Sequence, residues 1–150
     1  MITFEKVSKE NLYIAKEMMN SNSEFFSSIG KCVKEKESKL ISSQSSSLLI
    51  KIDDTYIGLL NYEKILKERR IIIEDYLIHA DYQGFGYGTV AYDYFENLLL
   101  EQGYKHSVVL VSSKNDRAHQ FWERKGYVAS GLEEHKGIEM TRFEKLFTRA

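Results

Sequence analysis

The hydrophobic pattern of the sequence predicts an α/β fold, a mixed central β-sheet of about seven strands flanked by about four helices. Three observations carry that reading. Ile71-Ile72-Ile73-Glu74-Asp75-Tyr76-Leu77-Ile78-His79 is a β-branched run of the kind that fills a central strand. Over 87–102, Val90 and Ala91, Tyr94 and Phe95, Leu98 and Leu99 recur at helical spacing, and Gly103 supplies the stop. His106-Ser107-Val108-Val109-Leu110-Val111 is a further buried strand, so 71–111 reads as strand, turn, helix, strand with a right-handed crossover.

The remaining elements follow in chain order. Ile2, Phe4 and Val7 alternate with polar neighbours and give a first strand over 2–7. Ser8 stands where an N-cap belongs. Leu12, Ala15, Met18 and Met19 then recur every three or four residues, so an amphipathic helix should run to Asn20-Ser21-Asn22. A second helical stretch, 24–40, is interrupted by Gly30 and shows solvated charge at Lys34-Glu35-Lys36-Glu37. Ser42-Ser43-Gln44-Ser45-Ser46-Ser47 reads as a flexible connector, with a place at the substrate entrance as the alternative. Leu48-Leu49-Ile50-Lys51-Ile52 and Tyr56-Ile57-Gly58-Leu59-Leu60-Asn61-Tyr62 flank the polar turn Asp53-Asp54-Thr55 and predict a hairpin. A charged turn, Lys67-Glu68-Arg69-Arg70, leads into the central strand. Asn115 caps a last helix that turns Ala118, Phe121 and Trp122 inward and closes at Gly126; strands at about 127–131 and 137–146 complete the order.

At 150 residues the chain has the length of one domain, and no repeat, linker or shift of composition divides it, so a single domain is expected over 1–150. Hydrophobic residues make up 43%, yet no apolar run approaches the roughly 20 residues a bilayer demands; a soluble protein without a membrane partner is expected. The N-terminus lacks the basic and apolar regions of a secretory signal, which makes the cytoplasm the expected location. Cys32 has no second cysteine to pair with and no ligand at metal spacing, so neither a disulfide nor a metal is expected. With 21 basic against 22 acidic residues and no Lys/Arg stripe, nucleic acid is not an expected partner.

The chemistry points to Gln83-Gly84-Phe85-Gly86-Tyr87-Gly88, set between the central strand and the strongest helix. Glycines let the backbone approach a ligand, and free N–H groups at a helix start favour an anion such as a pyrophosphate. The spacing is not the Gly-x-Gly-x-x-Gly of dinucleotide folds, nor is there a P-loop Gly-Lys-Ser/Thr. A tight strand-to-helix connection would by itself explain such a turn. However, Gln83-x-x-Gly86-x-Gly88 resembles the pyrophosphate-binding signature of the GNAT acetyltransferase superfamily, Gln/Arg-x-x-Gly-x-Gly/Ala. Asn115-Asp116-Arg117-Ala118-His119-Gln120-Phe121-Trp122-Glu123-Arg124-Lys125-Gly126-Tyr127 is similar to the second signature of that family, in the expected order and distance.

The resemblance implies an N-acetyltransferase that takes acetyl-coenzyme A as cosubstrate and passes the acetyl group to an amine, either a small molecule or a protein amino group. It implies that backbone groups of Leu77 and Ile78 pair with the pantetheine arm, and that Gln83, Gly84, Phe85, Gly86, Tyr87 and Gly88, with Thr89 at the helix start, hold the pyrophosphate. Asn115 would touch the pantetheine, act as a plain N-cap, or do both. An amine must lose its proton before attack, and Glu74 is the first candidate base, because some relatives carry an acid nine residues before the glutamine position. Alternation puts Glu74, Tyr76 and Ile78 on one face and Asp75, Leu77 and His79 on the other, so one of the two carboxylates should reach the cleft; pairing with Arg69 or Arg70 is the structural alternative. A backbone N–H near Ile78 would meet the charge that develops on the thioester oxygen. Where many members carry a tyrosine acid this chain has Trp122, whose N–H cannot serve as one near neutral pH; Tyr127 is the substitute retained, with Tyr82 behind it. The missing acid leaves a second reading, a GNAT-like module that binds acyl-coenzyme A without catalysis. Glu24, Glu35 and Glu37 could attract a cationic acceptor, and a homodimer stands beside a monomer as an open possibility.

Overall fold

Seven strands, β1 (Ile2–Lys6), β2 (Ser46–Ile52), β3 (Thr55–Ile65), β4 (Arg70–Ile78), β5 (His106–Ser112), β6 (Val128–His135) and β7 (Ile138–Leu146), are built in a computed structural model that describes residues 1–22 and 46–147. They form one sheet in the order β1-β2-β3-β4-β5-β7-β6. Only the β4–β5 pair is parallel, as a strand–helix–strand crossover requires. Three helices lie among the described residues: α1 (Leu12–Asn20), α2 (Tyr87–Glu101) and α3 (Asp116–Arg124).

Each face of the sheet has its own core. Ile71 and Ile73 of β4, Val109 and Val111 of β5, and Phe143 of β7 pack with Tyr92, Phe95 and Leu99 of α2 and Trp122 of α3. On the opposite face Leu49, Leu59 and Leu77 form a row across β2, β3 and β4, covered by Ala15, Met18 and Met19 of α1. The periodic residues of α1 and α2 therefore bury the stripes their spacing predicts. Phe95, 1% exposed, also meets the edges of Tyr62 and Phe4 at 5.1 and 6.1 Å.

Several expectations are corrected. Ser8 is not the N-cap of α1: the chain makes a further turn, Asn11 takes that position, and its side chain reaches back to accept the Ser8 N–H at 2.8 Å and to donate to Glu5 and the Lys6 carbonyl. Ser46 and Ser47 belong to β2 rather than to a connector, Ser47 being buried opposite Asn61. β3 runs on to Ile65, and the turn after it is closed by Arg69 at a φ of 50°. The expected helix 24–40, with Glu24, Cys32, Glu35 and Glu37, and residues 42–45 of the Ser-rich stretch lie outside the described residues.

The site is prepared by a defect in β4. Asn61 of β3 faces Asp75, but its neighbour Tyr62 faces Ile73, so Glu74 is an extra residue, a β-bulge. The bulge resets the alternation: Ile71 and Ile73 share a core with Tyr76 and Ile78, which strict alternation would put on the other face. β4 and β5 pair only from Arg70–His106 to Ile73–Val109, and beyond the bulge they part.

Candidate active site

Where β4 leaves β5, residues 74–78 have no strand on one side. The His79 N–H donates to the Ile57 carbonyl of β3 at 2.7 Å, so these two residues form a bonded antiparallel pair, and the next pair, Ile78 with Gly58, is non-bonded. The N–H and C=O of Ile78 consequently face the gap. By the same alternation Tyr76 faces the gap and Leu77 faces β3. Gly58 makes the Leu77 geometry explicit, because a Cβ there would stand 2.5 Å from the Leu77 carbonyl. Leu77, expected to offer backbone groups to the gap, therefore spends them inside the sheet, and Tyr76, which the sequence reading did not single out, takes its place.

The second component is the turn into α2. Gly86 is the N-cap at a φ of 82°, a left-handed conformation that glycine adopts without strain, and a Cβ at that position would meet nothing within 4 Å. Val90 is the first residue of α2 whose N–H reaches a helical carbonyl, that of Gly86, at 3.2 Å. The N–H groups of Tyr87, Gly88 and Thr89 thus emerge from the helix start, where the helix dipole favours negative charge. Open backbone, orphan donors and a positive dipole suit a diphosphate. Gly84, Phe85 and Tyr87 complete the turn, with the Phe85 ring exposed and 5.8 Å from that of Tyr87.

Strand and turn are fastened to each other. The Tyr76 hydroxyl donates to the Gly88 carbonyl, tying the gap-facing strand to the first turn of α2. Burial pushes this phenol well above its ordinary range, so it remains a donor. Gln83 Nε2 donates to the Ile78 carbonyl at 2.8 Å and to Asn22 Oδ1 at 3.0 Å. Asn22 Nδ2 donates to that same carbonyl at 3.3 Å, and the Ala80 N–H to Ser21 Oγ at 3.3 Å. The end of α1 is thereby stitched to the end of β4. Tyr76 could have been suspected from sequence, since a hydroxyl in a buried strand needs a partner. Nothing local to Asn22 marks it.

The candidate side chains separate. Asp75 lies on the α1 face with Leu77, is 6% exposed, and accepts a 3.0 Å hydrogen bond from Asn61 Nδ2. Glu74 is half-buried at the bulge, where the gap opens. Arg70 pairs with Glu68 at 2.8 Å. His79 Nδ1 accepts the Asp81 N–H and its ring lies against Tyr82, so it stabilises the turn after β4. Asn115 Oδ1 accepts the Ala118 N–H at 3.1 Å as the N-cap of α3, just past the end of β5.

Trp122 and Tyr127 sit in the core. Trp122 is 5% exposed and packs against Tyr76, Tyr92, Phe121 and Tyr127. The Tyr127 hydroxyl is hydrogen-bonded at 2.7 Å to both Ser107 Oγ and the Tyr92 hydroxyl. Ser107 faces Ile71, in the stretch where β4 and β5 are still paired, so this hydroxyl is turned away from the gap. Burial raises its pKa, as it does for Tyr92. Among the described residues no three His, Cys, Asp or Glu side chains converge as a metal site.

Residues 15–127 match the family described as acetyltransferase (GNAT) family. No curated protein sequence matches the chain. Among solved structures it is similar to the ribosomal-protein-S18-alanine N-acetyltransferase of Escherichia coli, with a TM-score of 0.82 at 12% identity over 100% of this chain and 96% of that one. An acetyltransferase of Salmonella typhimurium that modifies the N-terminal serine of ribosomal protein L7/L12 gives 0.83 at 11% identity, covering 98% and 95%. The PaiA N-acetyltransferase of Thermoplasma acidophilum, solved with coenzyme A, gives 0.76 at 18% identity, covering 98% and 99%.

Proposed function

The chain belongs to the GNAT acetyltransferase family, and from that premise we propose that it is an N-acetyltransferase that moves an acetyl group from acetyl-coenzyme A to a primary amine by direct attack. The observation that carries this reading is the conjunction of an unpaired β4 edge with the orphan N–H groups at the start of α2. The cofactor supplies an acetyl group activated as a thioester, whose leaving group is a thiolate.

Each remaining role falls to this chain. The N–H groups of Tyr87, Gly88 and Thr89, in a turn kept open by Gly84 and Gly86, receive the diphosphate. The Ile78 and Tyr76 backbone edges receive the amide-bearing arm as a further strand would be received. An N–H on that edge would donate to the oxygen on which negative charge grows. Glu74, at the mouth of the gap, takes the proton from the acceptor ammonium, directly or through water. Asn115, just past the end of β5, would touch the arm while it caps α3. A thiol of ordinary pKa, about 8.5, leaves as thiolate without a dedicated acid, so no proton donor is assigned to Trp122 or Tyr127. The acceptor is a small amine or a protein amino group; structural relatives that act on ribosomal proteins support the second class and a spermidine/spermine N-acetyltransferase of Vibrio cholerae the first.

The burial of Trp122 and Tyr127 also favours a second reading, a module that binds acyl-coenzyme A without turnover. Two measurements separate the possibilities. Acetyl-coenzyme A at 100 times its Kd should add about 2.7 kcal/mol of stability, read as a thermal shift. Thiol release against a panel of amines should then be positive for at least one. Binding without release selects the module, and no shift refutes both.

A further inference from the structure

The proposed function puts the arm of the cofactor on β4 and its diphosphate at the start of α2, so one ligand has to be met by two elements at a fixed spacing. Side chains hold that spacing at both ends of the turn between them. At the near end Gln83 Nε2 donates to the Ile78 carbonyl at 2.8 Å. At the far end the Tyr76 hydroxyl donates to the Gly88 carbonyl, inside the first turn of α2. Tyr76 thus belongs to both halves: its backbone lies on the strand edge turned toward the gap, and its hydroxyl holds the middle one of the three residues whose N–H groups emerge from the helix start. The ring that carries this hydroxyl is braced. Its centroid lies 5.8 Å from that of Phe121 and 5.9 Å from that of Trp122, both on α3, and 6.3 Å from that of Tyr92 on α2. Gly88 is also where the helix start rests on its neighbours, since a Cβ there would stand 3.6 Å from Ile78 Cγ1 and 3.8 Å from Phe121 Cε1. Three elements, β4, α2 and α3, therefore meet around one phenol.

Resting on the acetyl-coenzyme A reading above, we propose that Tyr76 is a positioning residue that sets the start of α2 against the strand edge, so that the diphosphate and the arm of one cofactor are received together. Gln83 alone fastens one end of the turn and leaves the first turn of α2 able to shift about it; the bond from Tyr76 to Gly88 opposes that shift. A ligand that spans two half-sites draws on both only where they are aligned, and its apparent affinity falls in proportion to the fraction of molecules that have the alignment. The same arrangement gives Trp122 a part that requires no acid, because with Phe121 it braces the phenol that aligns the two halves.

Whole ligand and fragments should respond differently. Tyr76→Phe removes the hydroxyl and keeps the ring, and acetyl-coenzyme A should then bind about fivefold more weakly, the equilibrium equivalent of one hydrogen bond. Inorganic pyrophosphate, which meets only the helix start, and S-acetylpantetheine, which meets only the strand edge, should keep their wild-type affinities in NMR titrations. In steady state the loss should appear as a raised KM for acetyl-coenzyme A at unchanged kcat, since a bound cofactor restores the alignment; a merely structural hydroxyl would lower the folded fraction and leave KM alone. Phe121→Leu keeps the hydroxyl and takes away one of its braces, so it should show the same split in smaller measure and tests the idea even if Tyr76→Phe melts too low to titrate. Wild-type affinity for acetyl-coenzyme A in both variants, or an equal loss for either fragment, would mean that the halves are not aligned through this hydroxyl, and the inference fails while the acetyltransferase reading stands. Absence of any acetyl-coenzyme A binding by the wild-type protein would overturn both together.

Discussion

Sequence position suggests Glu74 and Tyr127 for opposite halves of the proton transfer, and their surroundings separate them. Glu74 stands at the bulge where the gap opens. Glu74→Gln should leave acetyl-coenzyme A affinity intact and lower kcat about 10²-fold, the lower range for loss of a general base. Its residual rate should climb with pH as the acceptor amine sheds its own proton. Thiol release followed from pH 6 to 10 checks this, and an unaltered rate and profile would remove Glu74 from the mechanism. Tyr127→Phe tests the other half. Its hydroxyl holds Ser107 and Tyr92 together in the core, so the change should cost about 1–3 kcal/mol by leaving buried partners unsatisfied. The rate per folded molecule should not move; a collapse of kcat with full thermal stability would restore Tyr127 as an acid. Both residues were found by motif position, but spacing along a chain cannot say which way a hydroxyl turns. That needed the pairing of Ser107 with Ile71, a contact between residues far apart in sequence.

Elements were legible where the pattern is periodic and local. The stripe of α2 and the β-branched run of β4 name themselves, because burial of one face dictates their spacing. The bulge in β4 did not, since an added residue leaves the β-branched composition unchanged and shows only as a slipped register against β3. The start of α1 differs from the expected one for a related reason: Ser8 and Asn11 are both good capping residues, and Asn11 reaching back to Lys6 and Glu5 decides between them. The turn before α2 was legible through its glycines, and Gly86→Val is the variant that probes it. A β-branched residue at a φ of 82° should cost about 1–2 kcal/mol, and since nothing of the protein lies within 4 Å of the new Cβ, the protein should still fold. The added side chain would project into the space assigned to the diphosphate. The expected outcome is a cooperative melt at reduced Tm with no shift from acetyl-coenzyme A, and a normal shift would mean that the cofactor lies elsewhere.

For the molecule as a whole, the splayed sheet has to be held together below the gap, and a buried chain of hydroxyls contributes there. Ser107 of β5, Tyr127, Tyr92 and Glu96 of α2 and Lys145 of β7 follow one another through hydrogen bonds of 2.7, 2.7, 3.0 and 2.6 Å. Lys145 also donates to the Lys125 carbonyl at 2.6 Å, which brings the end of α3 into the same network. Tyr76, half-buried, adds a third phenol on the gap side. All three are raised, first of all by burial, which penalises the charged phenolate. In the unfolded chain each would ionise near 10, so above that pH the unfolded state binds fewer protons than the native one and stability falls as pH rises. Below pH 10 the phenols are neutral in both states and their contribution is complete. Each pH unit beyond the unfolded value costs about 1.4 kcal/mol per tyrosine kept neutral, so these three should bring a marginally stable protein to unfolding within about two units above pH 10. Melting temperature and the phenolate absorbance should change together across that window. Titration of these tyrosines near 10 in a protein that stays folded would mean that the aromatic core admits water, and the packing argued for α2 and α3 would have to be abandoned.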